Sequence, residues 1–163
     1  MNECSRCPYW VTPKVGGCRL PCPEDLDRLA AEGVVALVSL VEDYELTECW
    51  SSADEYVRES ASRGLNVVRL PVEDGAAPDP DDACRLFRAL KALEDGGGKV
   101  VFHCYAGMGR TGTLLAAYLA VTRCMDPYQA LSLVRKANPC AGPETEEQAL
   151  FLEYIRASCD CIR

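Results

Sequence analysis

The stretch from Lys99 to Arg123 constrains this chain more than any other part of it. Lys99 to His103 is a short apolar run that follows the triple glycine at 96 to 98. Such a run, bounded by breakers and rich in Val and Phe, predicts a buried strand. Tyr105-Ala106-Gly107-Met108-Gly109 follows, with two glycines in five residues. The segment from Arg110 to Arg123 is again apolar and predicts a helix, the most buried of the chain. A buried strand that passes through a glycine loop into a buried helix needs cover on both sides of its sheet. That points to an α/β domain with a partly parallel sheet.

The rest of the chain alternates in the same way. Tyr9 to Leu20 predicts a two-stranded entry with Gly16-Gly17 as its turn. Pro23 to Glu32 predicts a helix closed by Gly33, and Val34 to Leu40 a buried strand. Ser52-Ala53-Asp54-Glu55 has the form of a capping box, opening a helix that ends at Gly64. Leu65 to Leu70 is the next strand, and Glu73 to Pro80 a loop. Helices are expected over Asp81 to Asp95, from Pro127 (capped by Asp126) to about Ala137, and from Pro143 to about Ser158. Four to five strands flanked by helices, in 163 residues, describe a single domain over 1–163.

Composition narrows the partners. Apolar residues make up 48% of the chain, enough for an ordinary core. The net charge is −8, which disfavours general binding to nucleic acid or to an anionic membrane surface. An anionic ligand would need a local pocket. No apolar stretch approaches the roughly 20 residues that span a bilayer, and Met1 to Trp10 lacks the pattern of a secretory signal. A cytoplasmic location is expected, with the 11 cysteines mostly reduced. Cys84 and Cys124 read as core or boundary residues of helices. Cys4, Cys7, Cys159 and Cys161 read as loose thiols in frayed ends, or, less simply, as a metal site or two disulfides joining the termini.

The chemistry concentrates at Cys104. A Cys-x5-Arg pattern alone means little, since chance predicts about one in a chain of this composition. Two occur, at Cys22/Arg28 and Cys104/Arg110. Cys22 precedes Pro23, Glu24 and Asp25; proline has no N–H to offer and two carboxylates repel an anion. Cys104 instead ends a strand and precedes a glycine loop at a helix N-terminus. There, converging N–H groups and the macrodipole favour negative charge. Arg110 adds a planar fork that grips two phosphate oxygens. The same field favours a thiolate at Cys104, so nucleophile and bound anion share one electrostatic device.

His103-Cys104-Tyr105-Ala106-Gly107-Met108-Gly109-Arg110-Thr111-Gly112 resembles the signature loop of the cysteine-dependent protein tyrosine phosphatases. The fit is closest to the small dual-specificity members, prokaryotic ones included, and extends over roughly 10–155. The resemblance implies that Tyr105 through Arg110 bind phosphate and that Cys104 is the nucleophile. It implies a general acid at Asp74, in Pro71-Val72-Glu73-Asp74-Gly75; Asp79, Asp81 and Asp82 are rivals on composition but read better as the cap and first turn of the next helix. Thr111 would stabilise the departing thiolate, Gln148 would orient the hydrolytic water, and His103 would support the loop through hydrogen bonds. Tyr105 and Met108 either line the pocket mouth or pack beneath the loop. The implied activity is hydrolysis of phosphotyrosine in proteins, with phosphoserine and phosphothreonine as further substrates, through a phosphocysteine intermediate. The chain would act as a monomer, without metal or cofactor. Two alternatives stay open: an inositol phosphate or phosphoinositide phosphatase, and a catalytically silent phosphate-binding module. The first is disfavoured because no lysine occupies the loop, and the second because no catalytic group is missing.

Overall fold

The computed structural model describes residues 3–162. The expected span of 1–163 therefore includes Met1, Asn2 and Arg163, which lie outside the described residues. Strand β5 (Lys99–His103) occupies the centre of a five-stranded sheet in the order β1-β2-β5-β3-β4. It is parallel to β2 (Val15–Cys18) on one side and to β3 (Val34–Ser39) on the other. Strand β4 (Asn66–Arg69) extends the sheet in parallel beyond β3, and β1 (Tyr9–Thr12) pairs antiparallel with β2 at the opposite edge. Val100, Val101 and Phe102 are fully buried, as both faces of a central parallel strand must be.

Six α-helices cover the sheet among the described residues: α1 (Pro23–Ala31), α2 (Ala53–Ala61), α3 (Pro80–Asp95), α4 (Gly109–Thr122), α5 (Pro127–Ala137) and α6 (Glu146–Ser158). Helices α1 and α2 pack on β3 and β4, while α4 packs on β2, β5, α3, α5 and α6. Every residue of α4 is buried, so its few polar groups need partners. Tyr118 Oη donates to the buried Glu94 carboxylate at 2.7 Å, and Thr113 Oγ1 donates to Gly109 O at 2.7 Å.

The sequence expectations hold for most elements, with three corrections. The first turn is not at Gly16-Gly17. It lies at Pro13-Lys14, where Thr12 Oγ1 accepts from the N–H groups of Lys14 and Val15 at 3.2 and 3.0 Å. The two glycines lie inside β2, where a Cβ at Gly17 would come within 2.4 Å of the Tyr9 ring. Helix α6 begins at Glu146 rather than Pro143, because Thr145 Oγ1 accepts from Gln148 N and so caps it. Half of the capping box at α2 shifts by one residue: Ser52 Oγ accepts from Glu55 N, but the Glu55 carboxylate accepts from Ser51 N.

The cysteines depart furthest from expectation. Three disulfides join Cys4 to Cys140, Cys7 to Cys18 and Cys22 to Cys49. Cys4 and Cys7 are therefore tied into the body of the fold and are not loose thiols at a frayed end. Cys159 is buried, so the other end is not frayed there either. The suggested metal site at the termini does not assemble, since Cys4 and Cys7 bond elsewhere. Cys84 lies buried on α3, as expected, whereas Cys124 stands just past the end of α4.

Gly112 shows how tightly α4 is packed. Its missing Cβ would lie 2.1 Å from Gly142 N, which donates to Met108 O at 3.1 Å. Gly to Ala inside a helix ordinarily stabilises by up to about 1 kcal/mol. Gly112→Ala should have the opposite sign here and destabilise by about 1–3 kcal/mol, as read by urea denaturation against the parent chain.

Candidate active site

Cys104 follows the last residue of β5, and α4 starts five residues later at Gly109. The loop between them is held from below. Tyr9 Oη donates to Gly107 O at 2.6 Å, Leu20 N donates to Tyr105 O at 2.9 Å, and Gly112 N donates to Met108 O at 2.8 Å. These contacts take up carbonyl oxygens. The N–H groups of Tyr105 through Gly109 meet no acceptor in the protein among the described residues. Gly107 has φ +78, and a Cβ there would strike the Cys18 carbonyl at 2.7 Å. Glycine at this position thus supplies both the left-handed turn and the close approach to β2.

Arg110 is buried at the start of α4, and its guanidinium is already half used. The end-on edge, Nη1 and Nη2, donates to both oxygens of the buried Glu45 carboxylate at 2.9 and 2.7 Å. Nη1 also donates to Val72 O at 2.8 Å. Nε is buried without a partner. The side-on edge, Nε and Nη2, therefore remains available to two oxygens of an anion. Burial alone would raise the Glu45 carboxyl, but hydrogen bonds from Arg110 and from the Glu42 N–H, with the Arg110 charge, hold it below the usual range. Thr111 Oγ1, next along α4, is buried and unpartnered as well.

Asp74 stands apart from these buried groups. Its side chain is 79% exposed, yet its Oδ1 lies 3.7 Å from Arg110 Nη2. The loop that carries it is pinned to the start of α6. Thr145 Oγ1 donates to Gly75 O at 2.6 Å, Gln148 Nε2 to Ala76 O at 3.3 Å, and Ala77 N to the Glu147 carboxylate at 3.0 Å. Gln148 is buried, and its Oε1 accepts from Glu144 N at 2.8 Å. Both ends of its amide thus hold backbone here. Asp79 is a helix cap, as expected, accepting from Asp81 N and Asp82 N at 2.9 and 3.2 Å.

His103 is fully buried behind the loop. Its Nδ1 lies 3.2 Å from Cys104 O and its Nε2 2.8 Å from Tyr56 Oη. A carbonyl can only accept, so Nδ1–H donates to it and the tyrosine hydroxyl donates to Nε2. Burial pushes the His103 pKa down to about 4, with the positive charges of Arg69 and Arg110 adding to the effect. The ring is neutral at pH 7 and cannot serve as a base while both nitrogens are engaged.

Sequence reasoning missed the wall facing the loop. Asp43–Glu48 forms a 3-10 helix. Between it and Tyr105 lies a cleft of about 320 Å³, lined by Tyr44, Glu45, Thr47, Glu48, Asp74 and Tyr105. Tyr105 is exposed and its hydroxyl donates to Glu48 at 2.6 Å, which decides for the mouth over packing beneath the loop. Met108 is half-buried. Nothing in the local sequence marks Glu45 as the partner of Arg110, 65 residues away.

A family described as "Polymorphic toxin system, DSP-PTPase phosphatase" matches residues 14–123. A putative tyrosine phosphatase of Invertebrate iridescent virus 3 is 31% identical over 83% of this chain and 53% of its own length. The tyrosine-protein phosphatase CDC14 of Candida albicans is 26% identical over 60% of this chain but only 18% of its own. The chain thus spans about half, or less, of these two relatives. Among solved structures, the active form of Tk-PTP superposes with a TM-score of 0.82 at 33% identity, covering 92% of this chain and 96% of that one.

Two measurements test the geometry. Glu45→Gln keeps the shape but removes the charge that holds Arg110 end-on, so affinity for vanadate should fall about tenfold or more, as read by calorimetry. For His103, the unfolded chain takes up a proton near pH 6.5, while the folded chain resists until about 4. Stability should therefore drop by about 2–3 kcal/mol as pH falls from 7.5 to 4.5. His103→Asn should flatten that slope in denaturant titrations.

Proposed function

We infer the reaction from one premise: this chain belongs to the dual-specificity phosphatase family of the cysteine-dependent protein tyrosine phosphatase superfamily. The observation that carries the reading is the unfilled side-on edge of Arg110, at a helix N-terminus directly after Cys104 and the unpaired loop N–H groups. These donors match three equatorial oxygens of a phosphoryl group in transfer.

Cys104 Sγ attacks phosphorus, and the bond from phosphorus to the ester oxygen breaks. Asp74 gives that oxygen its proton. The loop N–H groups of Tyr105, Ala106, Gly107, Met108 and Gly109, with Arg110, hold the phosphoryl oxygens throughout. Water then attacks the phosphocysteine, Asp74 takes its proton, and Thr111 donates a hydrogen bond to the leaving thiolate. Gln148 is the residue we assign to placing that water. It does so from a position that also anchors the Asp74 loop through Ala76. His103 positions the loop and transfers no proton. Each of these groups lies on one chain, which supports action as a monomer, and no step calls for a metal or cofactor.

The substrate we assign is a phosphorylated protein, phosphotyrosine first. Tyr44 and Tyr105 flank the cleft as aromatic walls, while Glu45, Glu48 and Asp74 make it acidic. Aromatic walls suit a phenyl ring, and carboxylates at the mouth repel the further phosphates of an inositol polyphosphate. The cytoplasmic location expected from the sequence sits poorly with three disulfides, which persist in oxidising surroundings.

The test is a metal-free assay of phosphotyrosyl peptides, inositol phosphates and para-nitrophenyl phosphate, with Cys104→Ser as the inactive control. Asp74→Asn should lower kcat for phosphotyrosine by roughly 10²- to 10⁴-fold. Burst kinetics with the activated aryl ester should show a much smaller loss in transfer to Cys104, because its leaving group needs little protonation. A faster reaction with inositol phosphates than with phosphotyrosine would overturn the substrate assignment. Equal losses for Asp74→Asn with both leaving groups would overturn the acid.

A further inference from the structure

The described residues include all 11 cysteines. Six close the three disulfides, which leaves Cys84, Cys104, Cys124, Cys159 and Cys161. Four of these five lie in two groups where the C-terminal tail crosses the fold. On α3, the Cys84 thiol donates to the carbonyl of Ser158, the residue before Cys159, at 3.7 Å. Beyond α6 the tail turns back along α4: Ile162 N donates to Val121 O at 3.1 Å. Arg156 clamps the same corner, with Nη1 3.4 Å from Met125 O and Nη2 3.1 Å from Cys161 Sγ. The Arg156 guanidinium thus joins Cys161 to the residue that follows Cys124.

Cys124 carries a second signal. It has φ +50, alone among the described non-glycine residues in the left-handed region. It follows the C-cap of α4, where glycine is the usual choice because a Cβ costs energy there. The odd count then has an explanation: ten cysteines sort into five pairs, and the eleventh is the nucleophile.

We propose that this chain matures with five disulfides, Cys84–Cys159 and Cys124–Cys161 closing beside the three already formed, and that Cys104 is the single thiol left. Each closure forms one S–S bond and removes two protons and two electrons from two thiols. A disulfide oxidant, such as oxidised glutathione or a dithiol oxidoreductase, takes them: one thiolate attacks its sulfur, and the second resolves the mixed disulfide. Burial pushes the Cys84 thiol up to about 12, with Cys159 adding to the shift. This closure therefore belongs to folding, before the pair is buried. The two bonds fasten the tail to the ends of α3 and α4. They also leave Cys104 with no thiol in the same chain to exchange with, so its thiolate is spared for attack on phosphorus.

The experiment counts thiols, independently of any activity. The full chain is refolded in a reduced and oxidised glutathione couple, denatured, treated with iodoacetamide and weighed intact. One alkyl group, mapped to Cys104, is the expected result, with cross-linked peptides joining Cys84 to Cys159 and Cys124 to Cys161. Alkylation at any of those four positions, or a Cys159–Cys161 bond, overturns the proposal. Single variants check the pairing. Cys84→Ser should expose Cys159 alone beside Cys104, and Cys124→Ser should expose Cys161 alone. Each should lower Tm by about 5–15 °C while keeping activity on para-nitrophenyl phosphate. If a variant fails to fold, the peptide map of the parent chain still decides; release of any other thiol in either variant counts against the pairing.

Discussion

Glu45 and Arg110 form a buried ion pair beneath the loop that carries Cys104. An arginine in the interior is costly unless its charge and its donors are met. Glu45 meets the charge and takes the end-on fork, and the Val72 carbonyl takes a third hydrogen bond. What remains is a cation whose plane is held and whose Nε has no partner, with Asp74 Oδ1 3.7 Å from Nη2. The pair thus does two things at once. It makes a buried Arg110 tolerable, and it fixes the plane of the guanidinium at the start of α4. A free arginine at the surface would have neither the orientation nor the low local dielectric that strengthens its grip.

The partners of this pair come from distant parts of the chain, so their register depends on how the flanking segments are fastened. Cys22 caps the start of α1 and bonds to Cys49, the residue that ends the 3-10 helix of Glu45. Cys18 ends β2, against which Gly107 packs, and bonds to Cys7. Two of the three cross-links thus brace elements that form the walls of the site. Each also removes freedom from the unfolded chain, which on the chain-entropy account stabilises by about 2–4 kcal/mol. The opposite wall is held without covalent help, by Thr145, Glu147 and Gln148 on the Asp74 loop. Asp74 itself stays largely exposed.

Much of this was legible in the order of residues. The strand to His103, the glycine loop and the buried α4 follow from local apolar patterning and from the conformations that only glycine adopts. The caps at Asp79 and Asp126 were readable for the same reason: a cap is a contact between residues two or three apart. Gly16-Gly17 misled because glycine has two uses. Here it makes room for the Tyr9 ring and not for a turn, and that choice depends on a neighbouring strand. The cysteines misled because the redox state of a thiol depends on what it meets. Cys4 meets Cys140 across most of the chain.

The chain by itself determined the six α-helices, their alternation with the three inner parallel strands and the Cys104-to-Arg110 loop, because each rests on interactions within a few residues. It also determined that any anion must be held locally, since a net charge of −8 offers no general attraction. Only the tertiary structure decided which carboxylate holds Arg110, which hydroxyl fixes the His103 tautomer, and which side of the loop Tyr105 faces. Those are contacts across tens of residues, brought about when β3, β5 and the 3-10 helix pack together. No spacing in a single sequence encodes them, because the energy that selects them appears only once the surrounding water has been excluded.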